Sequence, residues 1–178
     1  MPITIYIAVV MVISLKSYIP TLARVLNDSE SALYERQRAL VREGLLEATP
    51  GKGPGSGVRA TPESVAMLLI GYLASVSLVE AGERARAIAR AKAGVGKTAE
   101  AFKDALARTL SSEELAATVK TIRVGITHGD ASIETQVGNT TFAGRTVGNP
   151  AVRIEVAMDA DTVRTISKAV AALKGDAK

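Results

Sequence analysis

Residues 29–66 read SESALYERQRALVREGLLEATPGKGPGSGVRATPESVA, and the order of helix-forming, turn-forming and again helix-forming stretches within them decides the fold. From Glu30 no Pro or Gly interrupts the chain until Gly44, which stands where a left-handed helix cap belongs. Leu33, Leu40 and Val41, with Ala32 at the margin, fall on one helical face. Ser31, Tyr34, Glu35, Arg38 and Arg42 fall on the opposite one. At the start, Ser29 and Asn27 are both good N-cap residues, and Asn27 with Glu30 has the spacing of a capping box. The expectation is a helix over Glu30 to Glu43 with one apolar and one polar face.

The next stretch is too short for another helix. Residues 45–49 (LLEAT) come directly after a helix stop, and residues 50–57 (PGKGPGSG) are turn chemistry throughout, Gly supplying positive φ and Pro fixing φ. Val58, Arg59 and Ala60 then return, and Thr61-Pro62-Glu63 opens a helix with a cap and an N1 proline. Residues 45–49 and 58–60 are therefore expected to pair as a hairpin, with Lys52 at its tip and Arg59 on its return arm. The polar face of the helix carries side chains that donate, accept, stack or pair with phosphate, as a helix lying in a major groove needs. A basic tip beside it suits phosphate contacts or entry into an adjacent minor groove.

Over roughly residues 16–75 the chain resembles the winged helix-turn-helix family of bacterial and phage transcription regulators, the MarR-like group among them. There too a recognition helix is followed by a "GLL" strand, a Gly-rich basic wing and a Thr-initiated helix. The resemblance implies a recognition helix over Glu30 to Glu43 and a wing over Leu45 to Ala60. Ser31, Tyr34, Glu35 and Arg38 would then approach base edges, and Arg42, Lys52 and Arg59 would hold phosphate. Upstream, residues 16–26 supply the preceding helix, with Pro20 in a first-turn position and Leu22, Val25 and Leu26 on its apolar side. Asn27-Asp28-Ser29 is the turn.

Composition sets the outer bounds. The 178 residues are 47% hydrophobic but only 3% aromatic, without Trp, so Ala and Val carry much of the packing. The absence of Cys excludes disulfides, thiol chemistry and thiolate metal sites. A single His128 excludes most multi-histidine metal sites and weakens any hydrolase reading. The net charge is +4. Residues 1–79 hold 7 Lys/Arg against 6 Asp/Glu, residues 80–110 hold 7 against 4, and residues 111–178 hold 8 against 8. The basic excess thus sits in the middle of the chain, which counts against a strong electrostatic footprint on the first part. Residues 1–15 are uncharged and apolar but shorter than the roughly 20 residues of a spanning helix, and no clear export signal frames them. They are expected to pack under the first domain, with Met11 an alternative natural start.

Residues 62–79 are apolar nearly all round, so they should form a helix buried from several sides, against the second domain or the same helix of another subunit. Residues 80–92 read as a basic helix with Arg86 and Arg90 one turn apart, either flanking DNA or linking domains. Lys92 to Thr98, KAGVGKT, is close to the KGGVGKT phosphate loop of ParA-like ATPases. That chemistry needs an apolar strand before the loop and a helix after it. Here a basic helical run precedes it and Ala91 replaces the first Gly, so Gly94 and Gly96 are expected to break a helix and Thr98 to cap the next, over residues 98–110.

From Val119 the period changes to two, with strands expected over residues 121–126, 132–135 and 152–156 and turns at His128-Gly129-Asp130, Gly138-Asn139 and Gly148-Asn149-Pro150. Arg123, Glu134, Arg153 and Glu155 would pair across a solvated face. Ile122, Val124, Ile126, Ile133, Ile154 and Val156 would pack on a final helix over residues 161–173, capped by Asp159 or Asp161. His128 and Asp130 are turn formers first and an acid/base pair only second.

The expected fold class is α+β: a winged-helix DNA-binding domain over residues 1–79, a helical linker over 80–110, and an oligomerising or ligand-sensing domain over 111–178. The expected function is a cytoplasmic, sequence-specific transcription regulator acting on double-stranded DNA as a homodimer or higher homo-oligomer. No catalytic residue, metal, cofactor or membrane is implied. The alternatives are a DNA-holding packaging protein, such as a phage terminase small subunit, and a protein-interaction module without DNA binding.

Overall fold

Local signals start and stop the first helices. Ser14 caps α1 (Leu15–Leu26), its Oγ accepting from Ser17 N–H at 3.1 Å. The helix starts ahead of Pro20, which lies inside it and not in a first turn; the missing N–H leaves the Lys16 carbonyl without its helical donor. Asn27 ends α1 in the left-handed region (φ 50°, ψ 45°). Ser29 Oγ then caps α2 (Glu30–Arg42) by accepting from Ala32 N–H at 3.1 Å. Asn27 is thus the end of one helix and not the cap of the next, and the Asn27–Glu30 capping box does not form, because Asn tolerates positive φ and Ser29 already holds the cap position. The computed structural model describes residues 13–51, 56–74, 81–94, 96, 99–144 and 151–175.

α2 stops in a Schellman turn. Gly44 has φ 67°, its N–H donates to Val41 C=O at 3.0 Å, and Leu45 N–H donates to Leu40 C=O at 2.8 Å. That turn draws Leu45 and Leu46 back onto Leu40, so the expected hairpin shrinks to one bridge, between Thr49 and Gly57, closed by hydrogen bonds of 2.9 and 2.8 Å. The returning residues find a different partner. Leu15 N–H donates to Val58 C=O at 2.7 Å and Ala60 N–H to Ile13 C=O at 2.9 Å. Three short extended pieces therefore lie side by side, with residues 57–60 between residues 13–14 and Thr49.

Thr61 and Ser64 cap α3 (Pro62–Leu73) reciprocally, with Pro62 in its first turn. Nine of its twelve residues are buried. They are covered by α2, by α4 (Ala81–Ala89) and by α5 (Phe102–Leu110) of the same chain. Between the last two, β1 (Lys92–Ala93) and β2 (Glu100–Ala101) pair antiparallel as a small hairpin. The basic helix thus ends at Ala89 and not Lys92, and α5 starts at Phe102, behind an Ala101 without a capping side chain, and not at Thr98. Positive φ at Gly94 (83°) and Gly96 (74°) reverses the chain there, and the Phe102 ring anchors the helix start edge-on to Phe142, with centroids 5.2 Å apart.

α6 (Glu113–Thr118) leads into a second, four-stranded sheet of β3 (Val119–Gly125), β4 (Asp130–Thr135), β5 (Asn139–Phe142) and β6 (Glu155–Asp159), in the order β5-β4-β3-β6 and antiparallel throughout. Asn139, expected in a turn, begins β5. β6 runs three residues later than expected, so Met158 takes the core place and Ile154 is left 46% exposed. Asp159 Oδ1 accepts from Thr162 N–H at 2.7 Å, capping α7 (Ala160–Gly175); that bond holds its carboxyl below the usual carboxylate range. One apolar cluster joins α1, α2, α3, α5, β3 and α7. The fold class is α+β, with seven helices and two antiparallel sheets among the described residues.

A Cβ at Gly71 would stand 2.9 Å from Leu40 Cδ1 and 3.2 Å from Cδ2, so any side chain there must push the buried Leu40 methyl groups aside. Gly71→Val is expected to lower unfolding free energy by about 2 kcal/mol, the range of overpacked cores, measured by urea denaturation. Tyr18 is buried, its hydroxyl without a hydrogen-bond partner among the described residues, and burial pushes it up to about 12. A phenol whose folded pKa is raised holds its proton longest in the native state. The stability it confers is complete below the unfolded pKa near 10 and is lost as pH rises toward 12. Tyr18→Phe is expected to keep neutral-pH stability and to flatten the alkaline decline, followed by thermal melts from pH 9 to 12.

Candidate functional site

The polar stripe of α2 lies on the surface. Ser31, Glu35, Arg38 and Arg42 are exposed, while Leu33, Gln37, Ala39 and Leu40 are buried beneath them. From Ser31 to Arg42 the stripe covers about 16 Å of helix axis. Its side chains are held to different degrees. Ser31 Oγ lies 3.2 Å from Ser29 Oγ, the capping hydroxyl. Arg38 donates to both carboxylate oxygens of Glu35, at 3.0 and 3.3 Å, so those two form one preset unit. Tyr34 is half-buried at the margin of the stripe, with Lys16 Nζ 5.0 Å above its ring. Lys16 belongs to α1, and nothing in the spacing of α2 could have found it.

Two tertiary contacts fix the helix that carries the stripe. Arg86 from α4 reaches the end of α2, donating to the Glu43 carbonyl at 2.6 Å and lying 3.6 Å from its carboxylate. A cation at a helix C-terminus is where the backbone dipole favours one. Arg86 therefore serves the end of α2. At the middle of α2, Arg36 stacks over Tyr72 of α3 at 5.2 Å. Burial, then the charge of Asp28, raises the Tyr72 phenol, and Arg36 opposes them.

Arg59 is exposed on the returning piece, where it and Glu47, Glu63 and Lys103 rim a groove of about 480 Å³ floored by Leu46, Val58 and Met67. Lys52 lies outside the described residues. Of the seven residues singled out from sequence, the four exposed ones on α2 share one face with Tyr34 at its edge, while Arg59 stands apart on the extended layer.

The other motifs resolve differently. The KAGVGKT stretch opens as an antiparallel hairpin following a helix, not as a strand running into a helix; Lys97 and Thr98 lie outside the described residues. His128 Nδ1 shares a hydrogen bond of 3.0 Å with Thr127 Oγ1, whereas Asp130 accepts from Arg153 at 3.0 Å, so His128 and Asp130 have separate partners. On the open face of the sheet Arg123 donates to Glu134 at 2.9 Å and Arg153 to Glu155 at 2.6 Å. The cross-strand charge pairing expected there is present for Arg123 and Glu134, diagonally because Ser132 lies directly opposite Arg123; Arg153 instead pairs with Glu155 two residues along its own stretch of chain, and its partner on another strand is Asp130. Among the described residues no cluster of three His, Asp or Glu could hold a metal ion, and no helix is long and apolar enough to cross a membrane. No protein-family model, curated protein or solved structure matches the chain.

Proposed function

We propose that the chain is a DNA-binding protein of the winged helix-turn-helix kind, reading double-stranded DNA with α2 in the major groove, and that it acts as a sequence-specific transcription regulator. One observation carries the reading: the order of the three extended pieces around the two helices. Residues 13–14 precede α1, α2 comes after a tight turn, and residues 57–60 come back between residues 13–14 and Thr49. A helix pair flanked by such a layer leaves the second helix's outer face free. That is the arrangement a reading helix and wing require.

The surface chemistry agrees. Arg38 and Arg42 stand on the exposed side of α2 with Ser31 and Glu35 on the same stripe. Arginine can bond a guanine edge in two places, and a carboxylate can accept from cytosine. Glu35 has a second effect: paired with Arg38, it offsets that cation until a base edge replaces it. A helix so set binds random DNA weakly and discriminates when the pairing is exchanged. Arg42, Arg59, Lys52 and Lys16 supply the phosphate contacts.

Fluorescence anisotropy with duplex fragments over a range of salt tests this. Binding should weaken with salt along a slope of about −3 to −4 on a double-logarithmic plot, as three or four phosphate contacts give. On a retained fragment Arg38→Ala is expected to cost about 1–3 kcal/mol and to relax its preference. Arg42→Ala should weaken all fragments alike and lower the slope by about one. Salt-independent binding, or affinity indifferent to both changes, would remove α2 from the interface.

A further inference from the structure

The outer edge of β6 carries an unused, self-complementary surface. β6 is the terminal strand in the order β5-β4-β3-β6, and among the described residues no strand lies on its far side. The opposite edge of the sheet is occupied, since Lys92 and Ala143 exchange two hydrogen bonds of 2.9 Å that bring β1 up beside β5. The pairing of β6 with β3 decides which of its backbone groups are spare. Ile126 N–H donates at 2.8 Å to the carbonyl of Ile154, the residue directly opposite it when the β3–β6 register is continued by one pair. In an antiparallel ladder bonded and non-bonded pairs alternate. Val156 and Met158 therefore also turn their backbone groups toward β3, and Glu155 and Ala157 turn theirs outward.

The same end of the strand exposes apolar surface. Val152 is 51% and Ile154 46% exposed, on the strand face that Val156 and Met158 continue into the core beneath α7. An open edge beside exposed apolar side chains is a pairing surface. Its charges select the partner and the register. An antiparallel second copy centred on Glu155 would set two carboxylates face to face, which is unfavourable. Centred on Val156, it would set Arg153 against Asp159, whose carboxylate already caps α7. Centred on Ile154, it sets Arg153 of each copy opposite Glu155 of the other, so that the Arg153–Glu155 pair within each chain joins its symmetry mate in an alternating cluster of four charges, brings the two Ile154 side chains together at the axis, and lays Val152 on Val156.

We propose that two copies of this chain join edge to edge through β6, antiparallel about a twofold axis at Ile154. The two four-stranded sheets form one continuous sheet with both α7 helices on the same face. The apolar face of α3, the first place to look for a partner in the sequence, is covered within the chain, and the interface moves to the sheet edge. This stands on the sheet alone and does not depend on the DNA reading.

Sedimentation of the full chain over a wide concentration range tests it. The expected result is a monomer–dimer equilibrium. Ile154→Glu, at a site exposed in the single chain, should abolish the dimer and leave the circular dichroism melt of the monomer unchanged. Arg153→Glu should weaken association about tenfold or more by opposing two carboxylates, and Arg153→Glu with Glu155→Arg should restore it. A parent chain monomeric throughout, or a dimer indifferent to Ile154→Glu and to the charge reversal, would overturn the proposal.

Discussion

A twelve-residue helix that is apolar on every side cannot remain at a surface, and the enclosure of α3 organises the rest of the chain. Its ring of Val65, Met67, Leu68, Leu69, Ile70 and Leu73 has no polar stripe to offer water. Burial of such side chains stabilises by about 1.5–3 kcal/mol each, so the chain gains most by wrapping helices around them. α2 comes from one side, α4 and α5 from the others. The four-stranded sheet and α7 complete the core beyond α5, with Phe102 and Phe142 as the joint.

That enclosure also determines how α2 is presented. Leu40 sits against Gly71 so closely that the inward face of α2 is committed to α3. The Schellman turn at Gly44 and the Arg86 guanidinium close its C-terminal end, and Ser29 closes its N-terminal end. With its inner face and both ends assigned, the stripe from Ser31 to Arg42 has one direction left. A reading helix must hold its side chains in register with base edges, and a helix capped at both ends and packed along one face on a dense core is suited to that task. Packing and proposed function are in this sense one constraint seen from two faces.

The features legible in the sequence were those decided within a few residues. The left-handed Gly44, the Thr61-Pro62 start, the polar face of α2 and the two-residue period of β3 and β4 each arise from local conformational preference, and each is found close to where it was expected. Pairings between distant residues were not legible. Val58 and Ala60 bond to Leu15 and Ile13, and no local signal distinguishes that partner from the nearer residues 45–49. The hairpin of β1 and β2 is hidden in a glycine-rich loop that also resembles a phosphate loop. Lys16 over Tyr34 and Arg86 at Glu43 are contacts between helices and carry no signature in spacing. β6 lies three residues later than its alternating pattern suggested, with Met158 in the core and Ile154 exposed, and the local pattern fits either register.

The claim on which the functional account turns is that α2, with the extended layer beside it, is the surface that meets DNA. Amide chemical-shift mapping of the labelled chain titrated with duplex fragments tests it most directly. The account predicts shifts and broadening gathered on Ser31, Glu35, Arg38 and Arg42 and on residues 49–59, with Arg123 and Ser132 on the open sheet face unmoved. Shifts centred on that sheet face with α2 silent, or no shifts at low salt, would contradict it.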